Sequence, residues 1–318
     1  MPARALDLGR IPGLAVGQAE TPDGASGVTV ALFEEAAPTV VDVRGGASAT
    51  YDTASLSLDS TYGRRWAIFF AGGSLYGLDA ARGIRTRILE TGGGHRAFRN
   101  PNVVVPVSGA ALFDLPTRPG PIPDYLPLGY EAARRADHGP VAIGRVGAGA
   151  GATVGKYLGR GRAMRGGIGA AADRVPGGGA VGVLVAVNAV GAVRDPADGR
   201  WVAGARDTEG RVVPPQAGVA GQDRTTGTTL GLVATDLTLD RPSLARIAAM
   251  VHTGLASAIA PFHSATDGDV IFAVSTEKTR TRGRTARPGE LADRLGSRAA
   301  ALAVAAVLGA VRAARAEP

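Results

Sequence analysis

The sequence contains no cysteine, which excludes disulfide bonds and thiolate catalysis. Aromatic residues are only 5% of the chain, so we expect close packing of small side chains instead of large aromatic anchors. The N-terminal segment MPARALDLGR lacks the apolar stretch of a signal peptide. The apolar run at residues 299–311 is too short to cross a bilayer. We therefore expect a cytoplasmic protein with no membrane partner.

Glycine is abundant, with 47 residues among 318, and hydrophobic residues make up 45% of the chain against 20% charged residues. This composition is typical of a folded globular protein with many tight turns. The net charge of +7 raises nucleic-acid binding as an alternative. However, the arginines are scattered, and their densest group, at residues 280–287, lies in a Gly/Thr/Pro segment without aromatic residues. We therefore expect a solvated basic loop and no nucleic-acid partner, while anionic substrates stay open.

Apolar periodicity divides the chain into short strands and amphipathic helices. The pattern predicts two strands around a turn at 34–38 within residues 26–44, strands at 66–71, 102–107, 182–187, 228–236 and 269–275, and helices that begin near 74, 129, 241 and 290. Between residues 194 and 226 the periodicity disappears, which predicts a long exposed loop that runs directly into the strand at Thr228. Strands and helices without strict alternation indicate an α+β fold, with a central sheet covered by helices.

Familiar catalytic and nucleotide-binding motifs fail on their spacing. The glycine-rich run that ends at Lys156 has Ala150 and Tyr157 where a P-loop requires Gly and Ser or Thr. The same run lacks the strand-end acid of a dinucleotide-binding fold. Ser74 is one residue too far from the next glycine for a nucleophile elbow. The four histidines show no metal-ligand spacing. We expect neither a cofactor nor a metal.

The junction between residues 227 and 228 is the most informative feature of the sequence. Thr228 begins a core strand directly after a long irregular segment, and Gly227 has no side chain to hinder attack on its carbonyl group. Further polar residues lie at strand or loop ends: Lys156, Asn188, Asp267 and Asp269. Each has an ordinary interpretation as a strand residue, surface charge, cap or turn. Taken singly, none of them predicts a catalytic site.

In combination and in this order, these residues resemble the self-processing amidohydrolases, which include L-aminopeptidase/D-esterases, β-aminopeptidases and nylon-oligomer endohydrolases. The resemblance covers nearly the whole chain. It is carried by Ile11-Pro12-Gly13 with Val16-Gly17, residues 27–30, 41–46, 72–80 and 147–156, Val187-Asn188 with Val190-Gly191, Thr228-Thr229-Leu230, Pro261-Phe262-His263 and Asp267-Gly268-Asp269. The acidic pair in the last of these segments looks most like the nylon-oligomer branch.

This resemblance implies that the precursor cleaves itself between Gly227 and Thr228. The products are a larger chain, 1–227, and a smaller chain, 228–318, which stay together as one folded domain. The implied fold is an α+β four-layer α/β/β/α sandwich. The implied assembly is a homo-oligomer, such as a tetramer of processed pairs.

The same resemblance assigns roles to the polar residues. Thr228 is the nucleophile, and its free α-amino group, with a pKa of about 8, is the base. Lys156 lowers the pKa of that amine and orients the hydroxyl. Asn188 donates a hydrogen bond to the oxyanion. Asp267 and Asp269 lie two residues apart, so in an extended segment both approach the amine from the same side.

Hydrolysis of linear amides such as 6-aminohexanoate (nylon-6) oligomers is the first expectation for the function, with a small amide or peptide as the partner. Release of N-terminal residues by an aminopeptidase, β-aminopeptidase or D-esterase is the second, because Gly227 matches that branch where nylon-oligomer enzymes have Asn. Tyr76 and Phe113 are expected to bind substrate, with Phe113 standing where the family often has a tyrosine. A self-cleaving acyltransferase and an uncleaved, non-catalytic binding protein stay open.

Overall fold

The structure is a computed structural model, and it describes residues 6–96, 102–115, 121–176, 178–215, 226–280 and 289–316. Its strands are β1 (Leu14–Glu20), β2 (Gly27–Val43), β3 (Ala49–Tyr51), β4 (Arg64–Ala71), β5 (His95–Arg96), β6 (Val103–Val104), β7 (Val107–Ala111), β8 (Thr153–Val154), β9 (Met164–Arg165), β10 (Gly167–Arg174), β11 (Ala180–Asn188), β12 (Ala192–Arg194), β13 (Trp201–Ala203), β14 (Ala205–Arg206), β15 (Val212–Val213), β16 (Thr228–Leu237), β17 (Ile259–Ala260) and β18 (Val270–Thr279). Its helices are α1 (Ala80–Glu90), α2 (Tyr125–Arg134), α3 (Arg241–Ala258) and α4 (Glu290–Ala316).

The main strands form one hydrogen-bonded path that folds into two facing sheets. The order along the path is β10-β11-β16-β18-β2-β4-β7-β3, and β1 also pairs with β2. The long strand β2 belongs to both sheets. Its first half pairs with β1 and β4, and its second half pairs with β18. One face of each sheet therefore turns toward the other sheet.

Three large apolar cores separate four layers of secondary structure. The innermost core joins the facing sides of the two sheets, where the rings of Phe70 and Phe272 lie 6.4 Å apart. A second core packs α3 and α4 on the outer face of β11, β16 and β18. The third packs α1 and α2 on the outer face of β2, β4 and β7. The predicted mixture of strands and helices is thus arranged as an α/β/β/α sandwich, while cleavage into two chains stays a prediction.

A local signal in the sequence explains where α3 begins. Asp240 caps α3, since its Oδ1 accepts a hydrogen bond from the Ser243 N–H at 2.8 Å, and a proline occupies the first turn, where an N–H has no partner. Helix α4 has 27 residues and is longer than the predicted apolar run; by length and composition alone it could cross a membrane. Its buried face, which includes Leu295 and Val307, packs in the same core as α3.

Strand β16 lies inside its sheet, and all ten of its residues are buried. It pairs antiparallel with β11, so that Asn188 stands opposite Thr228. It pairs in parallel with β18, so that Leu230 stands opposite Val270. Consequently the first residue of β16 lies beside the end of β11 and the turn before β18. These are three of the segments in which the sequence predicts functional polar residues.

Several secondary-structure predictions are wrong in position. Residues 27–43 form one strand and not two, because pairing with β1, β4 and β18 keeps the chain extended through an irregularity in register. The buried strand predicted at 102–107 is β7 instead, which starts later and pairs with β4. Ser74 opens a 3₁₀ turn, and the α-helix begins only at Ala80. Helix α2 begins earlier than predicted.

The described part of the segment 194–226, at 194–215, is more ordered than the predicted loop. It includes the short strands β13, β14 and β15, which form two small antiparallel ladders with their neighbours, while residues 216–225 lie outside the described part. His252, on α3, is only 1% exposed. Its Nε2 lies 3.1 Å from the carbonyl oxygen of Asp42, so the helix presents this ring to the sheet.

Candidate active site

Thr228 is the first residue of β16 and is only 3% exposed. Its Oγ1 lies 2.5 Å from the carbonyl oxygen of Gly227, to which it donates a hydrogen bond. Thr228 stands opposite Asn188 in the β11–β16 pair. A hydroxyl group is therefore held against the peptide bond at which the sequence predicts cleavage.

The Gly227 peptide is fixed by main-chain contacts. Its carbonyl oxygen accepts a hydrogen bond from the Gly268 N–H at 3.0 Å, and its own N–H donates to the carbonyl oxygen of Thr266 at 3.2 Å. A Cβ at residue 227 would lie 2.3 Å from the Val190 nitrogen and 2.4 Å from Asp267 Oδ1. Gly227 therefore permits the close approach of the segments that contain Val190 and Asp267. This reason for a glycine is not apparent from the sequence.

Asn188 ends β11 and is completely buried. Its Oδ1 accepts hydrogen bonds from the Thr153 N–H at 3.0 Å and from Lys156 Nζ at 2.9 Å. Its Nδ2 donates to the carbonyl oxygen of Phe113 at 3.2 Å. An amide nitrogen carries two hydrogens, so these contacts orient the group and leave one further donor beside Thr228.

Lys156 lies behind Asn188 and is 1% exposed. Its Nζ donates to the carbonyl oxygens of Thr153 at 2.8 Å and of Asn188 at 2.6 Å. Burial lowers the pKa of Lys156 to about 7, and the charge of Asp267 acts in the opposite direction. In the uncleaved chain this amine orients Asn188; its predicted action on the Thr228 hydroxyl and amine stays a prediction.

Asp267 is buried in the turn before β18. Its Oδ1 accepts a hydrogen bond from the Val190 N–H at 3.1 Å, and its Oδ2 accepts one from Ser264 Oγ at 2.5 Å. Burial raises the pKa of Asp267, and the nearby charge of Asp269 raises it further, against the lowering effect of these hydrogen bonds and of Lys156. Asp267 therefore keeps its proton to a higher pH than an exposed aspartate does.

Asp269 connects the residue after the nucleophile with a neighbouring turn. Its Oδ1 accepts a hydrogen bond from the Thr229 N–H at 2.8 Å, and its Oδ2 accepts one from the His263 N–H at 3.0 Å. The Nδ1 of His263 lies 2.9 Å from the same oxygen. His263 has a φ of 61°, and its ring stacks on Phe262 at 3.9 Å. Asp269 is thus held rigidly beside β16.

The two residues expected to bind substrate lie in different surroundings. Phe113 adjoins the cluster through its carbonyl oxygen, which accepts the hydrogen bond from Asn188. Its ring faces the guanidinium group of Arg160 at 5.3 Å. Tyr76 is 51% exposed on the 3₁₀ turn Ser74–Asp79. Substrate binding by either residue stays a prediction.

Comparison with known proteins identifies the family. The model for peptidase family S58 matches residues 7–317. The chain belongs to peptidase family S58. An uncharacterized aminopeptidase of Mycobacterium bovis is 36% identical to it over 264 residues, which are 79% of this chain and 74% of that protein. A 6-aminohexanoate-oligomer endohydrolase of Kocuria sp. is 32% identical over 286 residues, which are 84% of this chain and 74% of the relative. This S58 chain is an amidohydrolase.

Solved structures share the fold of this S58 chain. A β-aminopeptidase of Burkholderia sp. superposes with a TM-score of 0.62 at 20% identity, covering 99% of this chain and 87% of the other. The L-aminopeptidase D-Ala-esterase/amidase of Ochrobactrum anthropi, described as a variant of the Ntn hydrolase fold, superposes with a TM-score of 0.65 at 18% identity, covering 99% and 88%. The mixed, sheet-dominated fold is thus similar to that of the Ntn-hydrolase aminopeptidases.

Further contributors to the site act through the main chain and are not apparent from the sequence. Thr153 contacts Asn188 and Lys156 through its backbone N–H and carbonyl oxygen. Gly268 approaches so closely that a Cβ there would lie 3.0 Å from Thr228 Oγ1. No side-chain motif reveals such contacts. Across the described residues, no group of three or more His, Asp or Glu side chains is arranged to hold a metal ion.

Proposed function

We propose that this S58 chain is a self-processing amide hydrolase with Thr228 as its N-terminal nucleophile. In the first stage Oγ1 of Thr228 adds to the carbonyl carbon of Gly227, and the C–N bond breaks as the acyl group moves from nitrogen to oxygen. Water then hydrolyses the ester, which leaves the Gly227 carboxylate and a free Thr228 amine. The chains 1–227 and 228–318 stay together, because β16 and β18 pair with β11 and β2 of the larger chain.

The observation that carries this proposal is the contact between the Thr228 hydroxyl and the Gly227 carbonyl group. The two oxygens lie 2.5 Å apart, which supports Thr228 as the nucleophile for the adjacent peptide bond. The Gly268 N–H, 3.0 Å from the carbonyl oxygen, is placed to stabilise negative charge as it develops there. A nucleophile and an oxyanion donor thus meet at a single peptide bond.

Hydrolysis of substrates uses the amine released by cleavage. The α-amino group of Thr228, with a pKa of about 8, accepts the hydroxyl proton as the oxygen attacks the substrate carbonyl. Asn188, held by Thr153 and Lys156, donates its remaining N–H to the oxyanion, a contribution of about 3 kcal/mol at comparable sites. The ammonium group then gives its proton to the leaving amine, and water hydrolyses the acyl-enzyme ester.

The carboxylates have a positioning task in this scheme. Asp269 holds the main chain at Thr229, and Asp267 lies against the Cα of Gly227. Cleavage converts the peptide nitrogen between these contacts into an amine. The two acidic side chains are therefore placed to bind and orient the ammonium form of Thr228.

Linear amides such as 6-aminohexanoate oligomers are the proposed substrates. The acidic pair beside the nucleophile and the 32% identical relative named as a 6-aminohexanoate-oligomer endohydrolase support this choice. Release of N-terminal residues is the second candidate. It is favoured by Gly227, whose position has no room for a side chain, and by the 36% identical mycobacterial aminopeptidase.

Intact mass measurement under denaturing conditions tests the proposed cleavage. We expect two fragments that divide between residues 227 and 228, and a single chain for Thr228→Ala. Thr229→Ala is the matched control, because the buried Thr229 hydroxyl has no hydrogen-bond partner in the part of the chain that the structure describes, and this variant should still cleave. A wild-type chain that stays intact on long incubation would favour the uncleaved binding protein and refute the proposal.

Product analysis on the processed enzyme then tests the substrate. Internal cleavage of 6-aminohexanoate oligomers supports the first candidate, and stepwise release from aminoacyl amides supports the second. Adding a competing amine distinguishes the acyltransferase, which would yield the transferred amide at the expense of the free acid. Thr228→Ala should abolish each of these reactions.

A further inference from the structure

A cavity of about 570 Å³ lies next to the catalytic cluster, on the far side of Thr153. Five arginines line it: Arg145, Arg160, Arg165, Arg206 and Arg315. The remaining lining residues are neutral, so no acidic side chain of the described chain faces this space. A volume of this size holds a small molecule. The cavity therefore concentrates positive charge at a place with room for a ligand.

Three of the five arginines in this cavity are not neutralised by a carboxylate of the described chain. Arg160, Arg165 and Arg206 form no ion pair with any described carboxylate. The acidic residues nearest in sequence, Asp207 and Glu209, both pair with Arg211 instead, at 3.1 and 2.8 Å. Arginine stays charged at physiological pH, so mutual repulsion in the cavity favours the entry of an anion.

Arg160 supplies the observation that points to a ligand. Its Nη1 is buried and has no hydrogen-bond partner among the described residues, although a guanidinium N–H that is removed from water costs free energy unless it is paired. The guanidinium group is fixed over the ring of Phe113. It is thus held in place with unused donors at the wall of the cavity.

We propose that this arginine-lined cavity is a binding site for a small, multiply charged anion that carries phosphate or several carboxylate groups. Guanidinium groups bind these groups through paired N–H donors with fixed geometry. Convergence of several arginines favours a ligand with more than one charge over a single carboxylate. Thr153 lines the cavity and contacts Asn188, whereas Asn188 and Thr228 themselves do not line it. The anion therefore occupies a site beside that of the amide substrate.

Isothermal titration calorimetry with inorganic pyrophosphate and with citrate tests the proposal at physiological salt. We expect saturable binding of at least one probe, which Arg165→Ala/Arg206→Ala weakens by about tenfold or more. Both side chains are exposed at the cavity, so their loss should leave the fold intact. Preference for pyrophosphate assigns a phosphorylated ligand, and preference for citrate assigns a polycarboxylate.

The matched control is Arg134→Ala/Arg200→Ala, which removes two exposed arginines away from the cavity. This variant should bind the probes as the wild type does. Thr228→Ala should also bind normally, which separates the anion site from the proposed catalytic function. Absence of binding by both probes, equal weakening in the two double variants, or loss of binding in Thr228→Ala would each overturn the proposal.

Discussion

Both ends of strand β16, the first end at Thr228 and the last end at Leu237, contain buried polar side chains. The hydrogen bonds of these side chains differ between the two ends. At the first end, Thr228 lies among two carboxylates and a buried lysine, and burial shifts the pKa of Lys156 down and that of Asp267 up. At the last end stands Asp236, also buried. Its Oδ1 accepts a hydrogen bond from the Ala180 N–H and its Oδ2 accepts one from Thr279 Oγ1, both at 2.6 Å.

The difference lies in spare hydrogen-bonding capacity next to a reactive group. At the last end, hydroxyls and main-chain groups pair with one another, as Thr235 Oγ1 does with the Ala180 carbonyl at 2.7 Å and Ser275 Oγ does with the Leu237 carbonyl at 2.6 Å. At the first end, one N–H of Asn188 has no acceptor among the described residues, and the neighbouring Thr228 hydroxyl contacts the Gly227 carbonyl group. Burial of polar groups alone therefore does not mark a catalytic site.

The largest predicted effect on hydrolysis comes from exchanging an amide and a carboxylate at the two ends of β16. The exchange should slow hydrolysis strongly at the first end and hardly at all at the last end. Asn188→Asp keeps an oxygen for Lys156 and Thr153 but removes the N–H donor, so hydrolysis by processed enzyme should fall by about a hundredfold to a thousandfold. Asp236→Asn should leave hydrolysis within about twofold of the wild type, since it touches no reacting atom. Steady-state kinetics measure both; equal losses would contradict the comparison.

Gly227→Ala, at the first end of β16, should have a smaller effect, and this effect is on self-cleavage. The added Cβ would collide with the Val190 nitrogen and Asp267 Oδ1, which displaces the peptide from Thr228 and should slow self-cleavage by about a hundredfold. Gly161→Ala is the control, because no atom lies within 4 Å of a Cβ at that residue. The appearance of cleaved chains is followed by gel electrophoresis. Cleavage of Gly227→Ala at the wild-type rate would show that the packing is not required.

Much of the fold was accessible from the sequence, since the strands and helices around Thr228 have strong apolar periodicity. The continuity of β2 was not accessible. Its polar centre has the composition of a turn, and only pairing with three distant strands keeps it extended. Long-range pairing of this kind overrides local preference.

The candidate site was accessible only through the family resemblance, because its residues come from separate segments of the chain. Spacing indicated that Asp267 and Asp269 belong together, and the structure places both at the start of β16. Spacing did not predict the bond of Asp269 to His263, which depends on a left-handed backbone conformation. The arginine cavity was also missed, since its residues are scattered in sequence.

At the last end of β16, Asp236→Ala should reduce stability without changing chemistry. The substitution leaves the buried Ala180 N–H without its side-chain acceptor, which should lower the free energy of unfolding by about 2–3 kcal/mol. Urea unfolding of the variant in a Thr228→Ala background, where the chain stays intact, measures the loss. Self-cleavage in the otherwise wild-type chain should be complete. An unchanged free energy of unfolding in Asp236→Ala would show that these hydrogen bonds do not stabilise the fold.

The effect that is smallest within any one pH unit is a difference in pH dependence caused by Lys156. Its pKa is about 7 in the folded protein and about 10.4 in an unfolded chain, so between these values the unfolded chain binds more protons. The free energy of unfolding contributed by this group should therefore rise with pH from about 7 to about 10, by at most about 1.4 kcal/mol per pH unit. Urea unfolding of Thr228→Ala and Thr228→Ala/Lys156→Met at several pH values isolates this contribution, and parallel curves would show that Lys156 is not buried as a weakly basic amine.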